Sequence, residues 1–201
     1  MGLYSKYILP RVAHFLCSSK LITQQRQKVV PRARGRVLEI GIGSGLNLPF
    51  YDPQKVRHVW GLEPNENMWN LASSKRVPFD FEFLQASAEK IPLEDGSADS
   101  IVVTYTLCSV SQTIEALVDM RRVLRPGGEL IFCEHGAAPE QSVRRWQERL
   151  NPIWQKAAGG CRLNLQIPTL LEQGGFKIRV LDMMYIQGPK IASYNYWGTA
   201  G

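Results

Sequence analysis

Arg36-Val37-Leu38-Glu39-Ile40-Gly41-Ile42-Gly43-Ser44-Gly45 is a short apolar run that opens into three glycines at alternate positions. The run has the length and composition of a buried strand, and the glycines mark its end. Residues without a Cβ let a ligand lie against the backbone. A short helix is expected next, and its first N–H groups would face the same ligand. A dinucleotide-binding loop needs its third glycine one place later, where this chain has Leu46. Glu39, two positions before the first glycine, would repel a pyrophosphate and suit a cationic ligand. By itself the loop is equally compatible with a tight turn.

Outward from this loop, strands and helices alternate. Downstream the expected elements are a strand over 58–63, a helix over 65–74, strands over 81–85 and 99–105, and a helix over 113–124. A strand over 129–134, helices over 143–158 and 169–173, and strands over 176–185 and 190–196 follow. In the 113–124 helix, Ile114, Leu117, Val118 and Arg121 fall in one register. Residues 99–105 are apolar enough for a sheet centre, and Arg125-Pro126-Gly127-Gly128 is a turn signal. Upstream, residues 4–30 read as helix with a break at Pro10, and Ile8, Val12, Phe15, Leu16 and Ser19 share a face.

The alternation predicts an α/β fold of three layers, with a mostly parallel seven-stranded sheet between helices. The last two strands have no helix between them, so the terminal one should be antiparallel. One domain over 1–201 is expected. It comprises a basic helical segment over 1–35 that could act as a lid, a cofactor-binding half over 36–134 and a substrate-side half over 135–201.

The 201 residues, 44% hydrophobic and 21% charged, suit one globular domain. The longest nearly uncharged apolar stretch, Ile101–Val110, is far short of a ~20-residue membrane span. No N-terminal pattern reads as a signal peptide, so a cytoplasmic protein is expected. Cys17, Cys108, Cys133 and Cys161 form no CxxC pair and match no zinc spacing. Reduced thiols and no metal are expected. The net charge of +6 gathers in residues 1–36, which hold eight cations and no acid. Such a segment could meet phosphate, an anionic membrane or an acidic substrate, or it could be a solvated helix face.

Glu63 ends the second strand, eighteen residues past Gly45. An acid there can accept both hydroxyls of a ribose; a surface Glu at a strand end would do nothing of the kind. Val37-Leu38-Glu39-x-Gly-x-Gly-x-Gly, Gly61-Leu62-Glu63-Pro64, Ala86-Ser87-Ala88-Glu89-Lys90-Ile91-Pro92-Leu93 and Arg122-Val123-Leu124-Arg125-Pro126-Gly127-Gly128 follow in order. Together they resemble the successive motifs of class I S-adenosylmethionine-dependent methyltransferases, with a Rossmann-like methyltransferase fold. Leu107-Cys108-Ser109-Val110, Glu134-His135, the Trp146…Leu150-x-Pro152-x-Trp154 pattern, Gly160-Cys161-x-Leu163 and Pro189-Lys190-Ile191 narrow this further. They are similar to the methyltransferase-like thiol methyltransferases and their bacterial relatives. The animal members are membrane-associated through a hydrophobic N-terminal anchor, where this chain carries its basic segment.

The resemblance implies S-adenosyl-L-methionine as cofactor and S-adenosyl-L-homocysteine as product. It implies that Gly41, Gly43 and Gly45 wrap the methionine moiety, with Glu39 beside its ammonium, directly or through water. Glu63 would bind ribose, Pro64 and Met68 would flank adenine, and Ser87 and Ala88 would occupy the adenine-reading segment. Many relatives have Asp in place of Ser87. Tyr105, Thr106 and Leu107, at the end of the fourth strand, would line the boundary between cofactor and acceptor, where ligands of parallel sheets sit.

The sulfonium carries an activated methyl, so the protein has to align donor, methyl and acceptor for in-line displacement. A base is needed only for a protonated acceptor. His135, after the fifth strand, is the candidate base, or it merely caps a strand end. Cys108 and Cys161 are small apolar residues unless they act together; holding a soft acceptor such as arsenic would take two or three convergent thiols. Trp146, Trp154, Met183, Met184 and Tyr185 wall the acceptor pocket or pack the core. No Asn/Asp-Pro-Pro-Tyr/Phe run and no Pro-Cys follows the fourth strand, which argues for a small-molecule acceptor and no nucleic acid. The leading expectation is a thiol methyltransferase. A lipid-amine or quinone-type methyltransferase at a membrane surface and a non-catalytic cofactor-binding protein stand as alternatives.

Overall fold

The computed structural model describes residues 14, 15, 17–70 and 76–201. Residues 4–13 and 16 of the expected N-terminal helix, with Ile8, Val12 and Leu16, lie outside the described residues. So do positions 71–74 of the 65–74 helix.

The elements run α1 (Lys20–Val29), β1 (Gly35–Ile40), β2 (Val56–Leu62), α2 (Glu66–Trp69), β3 (Asp80–Leu84), β4 (Ala98–Thr104) and α3 (Thr113–Val123). Then follow β5 (Leu124–His135), α4 (Gln141–Ala157), α5 (Ile167–Gln173), β6 (Ile178–Tyr185), α6 (Lys190–Ser193) and β7 (Tyr194–Ala200). The sheet has the order β3-β2-β1-β4-β5-β7-β6. All pairings are parallel except those of β7, which is antiparallel to both β5 and β6. The α/β class, the seven strands and the antiparallel terminal strand are as the sequence predicts.

Period-2 alternation along β1 sends Leu38 and Ile40 to one face and Val37 to the other. The first face packs against Ala116, Leu117 and Met120 of α3 and Ile167 and Leu171 of α5. The second packs against Val29, Val30, Leu48 and Tyr51. All seven residues of β4 are buried, as a central parallel strand requires.

Four local expectations fail. The helix after the glycine loop is only a 3-10 turn, Leu48–Phe50, because Pro49 and Pro53 remove N–H donors and clash with a continuing helix. In α3 the buried side is Thr113, Ala116, Leu117, Met120 and Val123. Ile114 and Val118 are exposed, so the register is rotated from the one expected. Arg125–Gly128 bulges from β5: Ala98 pairs with Leu124 and Ser100 with Glu129, and Gly127 takes φ +77° to allow it. Finally, Lys190–Ser193 is a helical turn after Pro189, and the terminal strand starts only at Tyr194.

Candidate active site

The carboxyl ends of β1, β2, β3, β4 and β5 open on the same side of the sheet, and each delivers residues to one region. Gly41, Gly43 and Gly45 have φ of +65°, +53° and +67°, conformations that glycine adopts without steric cost. Gly41 and Gly43 line a cavity of about 220 Å³ together with Glu63, Met68, Tyr105 and Thr106. A Cβ on Gly41 would run into the Thr106 side chain, and one on Gly43 would come within 3.2 Å of the Met68 methyl. Gly45 does not line the cavity; its N–H closes the turn onto the Ile42 carbonyl at 2.9 Å.

Glu63 fastens this loop to the turn after β2. One carboxylate oxygen accepts the Gly43 N–H at 3.2 Å and the other the Asn65 N–H at 3.0 Å. Burial pushes its carboxyl pKa up despite both bonds. A second lobe of about 200 Å³ continues past Glu63, lined by Pro64, Ser87, Ala88 and Glu89. Gly41, Glu63, Thr106 and Ser109 border both lobes. Sequence reading passed over Glu89, which accepts the Ser87 hydroxyl and, at 3.3 Å, the Gln112 N–H.

Glu39 and Leu107 lie elsewhere than expected. Glu39 is buried and does not line the cavity; it accepts Asn47 Nδ2 at 3.0 Å and the Tyr51 hydroxyl at 2.7 Å. Leu107 is buried in the core beneath the site, since its 3-10 turn aims the side chain inward. Asn47 also donates to Thr104 Oγ1 at 3.0 Å. Arg26 donates to Asn47 Oδ1 at 2.8 Å and to Thr104 Oγ1 at 2.6 Å. Arg26 is thus a buried cation that lines the cavity and sits 5.4 Å from the Tyr105 ring centre. Nothing in the basic run set it apart from its solvated neighbours. His14 and Cys17 line the same cavity, and His14 Nδ1 lies 2.6 Å from Ser44 Oγ.

Beyond Tyr105 lies an apolar cavity of about 410 Å³, lined by Ile22, Cys108, His135, Trp154, Cys161 and Leu163 among others. It shares Cys17, Tyr105, Ser109 and Ala158 with the first cavity. Tyr105 holds φ +53°, a left-handed conformation that costs a non-glycine residue roughly 1–2 kcal/mol. Its N–H on the Cys133 carbonyl (2.9 Å) and its hydroxyl on Asn195 Oδ1 (2.6 Å) keep it there. Thr106 is pinned through its N–H to Glu134 at 2.8 Å, and burial pushes the Glu134 carboxyl up to about 7.

His135 does point inward. Its Nε2 lies 3.3 Å from Cys161 Sγ, and the Cys108, His135 and Cys161 donor atoms all lie within 4.8 Å of one another. A hydrogen bond from Cys108 and the His135 ring hold the Cys161 thiol well below its ordinary pKa. Burial opposes protonation of His135, but the Cys161 contact outweighs it and the imidazole is shifted up. His135 Nδ1 has no partner among the described residues. Of the aromatic and methionine residues singled out from sequence, Trp154 lines this cavity, while Trp146, Met183 and Met184 are exposed.

A family model described as a methyltransferase domain matches residues 38–132. Human thiol S-methyltransferase TMT1A is 33% identical over 177 residues, which span 85% of this chain and 70% of that one. Human thiol S-methyltransferase TMT1B is 37% identical over 153 residues, 72% of this chain and 62% of that one. The chain therefore spans about two thirds of the length of these relatives. Among solved structures, a methyltransferase dependent on S-adenosylmethionine from Thermotoga maritima superposes with a TM-score of 0.69 at 23% identity, covering 98% of each chain.

Proposed function

The chain belongs to the class I S-adenosylmethionine-dependent methyltransferases, with S-adenosyl-L-methionine as cofactor, and we propose that it methylates the sulfur of a small thiol. The first cavity fits the cofactor: a Cβ at Gly41 would intrude on Thr106 and one at Gly43 would press on the Met68 methyl, so glycine at both positions keeps the loop's cavity face clear. Gly41, Gly43 and Met68 would hold the methionyl part, and Arg26 would face its carboxylate. Glu63 would take the ribose hydroxyls, exchanging the Gly43 and Asn65 N–H groups for them. Pro64, Ser87 and Ala88 would border the adenine, with the Glu89 carboxylate replacing the acid missing at Ser87.

One observation carries the choice of acceptor. The adjoining cavity is apolar, shares a wall with the cofactor cavity, and holds its imidazole and thiols in a single cluster. The bound cofactor supplies a methyl group already activated on a sulfonium. The remaining tasks are orientation, exclusion of water and removal of one proton. Tyr105 and Trp154 wall the acceptor from water, and the hydrogen-bonded His135–Cys161 pair would take up the thiol proton. The names of the two human relatives agree with a thiol acceptor.

Isothermal titration with S-adenosyl-L-homocysteine should give saturable binding. Glu63→Gln should weaken it by about 10–100-fold, since hydrogen bonds to a charged group contribute about 1.5–3 kcal/mol. Methyl transfer should then appear on a panel of small thiols and not on the matching alcohols and amines. Binding of NAD instead, or turnover confined to amines, would sink this reading.

A second reading, an amphiphilic acceptor drawn from an anionic membrane surface, is favoured by Phe15 (76% exposed) and by Ile153 and Trp146 of α4 (70% and 55%) beside Arg149. No helix among the described residues is long and apolar enough to cross a membrane, so contact would be peripheral. Co-sedimentation with anionic vesicles at low salt, reversed at high salt, is the expected result. Failure to co-sediment at low salt removes it.

A further inference from the structure

We propose that Cys108, His135 and Cys161 form a zinc(II) site in the acceptor cavity, with one coordination position left open for the substrate sulfur. The identity of that fourth ligand rests on the thiol reading above; the three protein ligands do not. They come from three separate places in the chain: the turn after β4, the last residue of β5 and the turn after α4.

Geometry is the first support. With Zn–S near 2.3 Å and Zn–N near 2.0–2.1 Å, a tetrahedral site has edges of roughly 3.8 Å between sulfurs and roughly 3.6 Å between sulfur and nitrogen. Here Nε2 and Cys161 Sγ are 3.3 Å apart, and all three donor atoms lie within 4.8 Å. Shifts of an ångström or less would close the site around an ion.

Preorganisation is the second. Arg162, next to Cys161, holds the turn that carries Cys108. Its guanidinium donates to the Leu107 carbonyl (3.2 Å), the Val110 carbonyl (2.5 Å) and Thr113 Oγ1 (2.6 Å). Its backbone N–H donates to the Cys108 carbonyl at 2.9 Å. The two thiols are therefore tied together through backbone contacts that no sulfur chemistry requires.

The donor set then selects the ion. Two sulfurs and an imidazole with no carboxylate disfavour magnesium and calcium, which take oxygen. Two thiolates neutralise the two charges of zinc(II), so the site adds no net charge to an apolar cavity. Cys₂His with an open position is the pattern of reactive zinc, whereas structural sites close all four. Cys17 borders the cavity but is not one of the three clustered ligands. A substrate thiol entering the open position would lose its proton to solvent and bind as thiolate, since coordination deprotonates a thiol outright. Its sulfur then forms the new S–CH₃ bond as the donor's C–S bond breaks. That electron pair stays on the sulfur of S-adenosyl-L-homocysteine, and a neutral thioether, a weaker ligand, leaves. In the ion-loaded protein coordination thus takes over the deprotonation that falls to the His135–Cys161 pair without it.

The test is titration of metal-free protein with cobalt(II), which reports thiolate ligation by charge-transfer absorption and tetrahedral geometry by its d–d bands. A single equivalent should bind with both signatures, and zinc(II) should displace it. Cys161→Ser and Cys108→Ser should each weaken binding by more than the ~10–100-fold that loss of an outer-shell partner causes. Cys17→Ser should leave it unchanged. A urea midpoint retained in each variant shows that the fold persists; Cys161→Ala replaces Cys161→Ser, and Cys108→Ala replaces Cys108→Ser, where either fails this check. Absence of the charge-transfer band, equal cobalt affinity in the Cys108→Ser Cys161→Ser double variant, or loss of binding in Cys17→Ser overturns the proposal. Thiol turnover by protein that binds no metal would overturn the zinc site alone. Metal binding without turnover on any thiol would uphold the three protein ligands and overturn the thiol reading.

Discussion

Gln147→Leu is expected to lower the unfolding free energy by about 4 kcal/mol or more, read as a fall in the urea midpoint at unchanged slope. Gln147 lies in α4 and is fully buried. Its Oε1 accepts the Ala138 N–H at 2.9 Å. Its Nε2 donates toward the carbonyls of Gly136 (3.0 Å), Leu163 (2.9 Å) and Ile191 (3.0 Å). One side chain thus satisfies backbone groups from the segment after β5, the loop before α5 and the turn before β7. Leucine fills the space and leaves those groups buried without partners, at about 1–3 kcal/mol each. Domains are stable by only about 5–15 kcal/mol, so the variant should be partly unfolded under mild conditions. A loss below about 1.5 kcal/mol would mean that water replaces the amide and the site is wetter than the structure shows.

The second large effect is expected in the cofactor loop, where Gly41→Ala should weaken S-adenosyl-L-homocysteine binding by about 100-fold or more. The added methyl demands a left-handed φ from alanine, at roughly 1–2 kcal/mol. It also lands in Thr106, and overpacking of that kind costs about 1–3 kcal/mol. Thr106 has no room to yield. Its Oγ1 bonds the Ile40 and Thr104 carbonyls at 3.2 and 3.1 Å, and its N–H is held by Glu134. The loop must move, and the cofactor contacts proposed for it move with it. Gly43→Ala makes the comparison informative: it shares the φ penalty, but its methyl meets only the flexible end of Met68. Titration should rank wild type, Gly43→Ala and Gly41→Ala in falling affinity; equal affinities for the two variants would show that φ alone governs the loop.

The legible part of the molecule is the local part. Strand β1, its three glycines and Glu63 could be read because each expectation follows from a few adjacent residues, and all three glycines hold the positive φ that explains why glycine stands there. The helix expected after the loop fails because Pro49 and Pro53 override the pattern within a handful of residues. The α3 stripe was rotated because Ile114 and Val118 look like core residues in one dimension, while contact with the sheet is decided by Ala116 and Met120. What could not be read depends on long-range convergence. Arg26 looks like its solvated neighbours until Asn47 and Thr104 meet it. Gln147 looks like an ordinary polar helix residue until three carbonyls surround it. Cys108, His135 and Cys161 match no metal spacing because spacing rules describe ligands on one local motif, and these come from three elements.

The strand order has a consequence for the growing chain. β6 is made before β7, yet it joins the sheet only through β7, which lies between it and β5. As β6 emerges from the ribosome it has no edge to join, and it waits until β7 follows it out. By then β1 to β5 have been made, and with them the glycine loop and Glu63, while Tyr105 gains its Asn195 partner only with β7. Ala192 and Asn195, which wall the acceptor side, arrive with the closing hairpin. The closing hairpin therefore completes two cavities at once: it supplies the Asn195 partner that holds Tyr105 between them and a wall of the larger one.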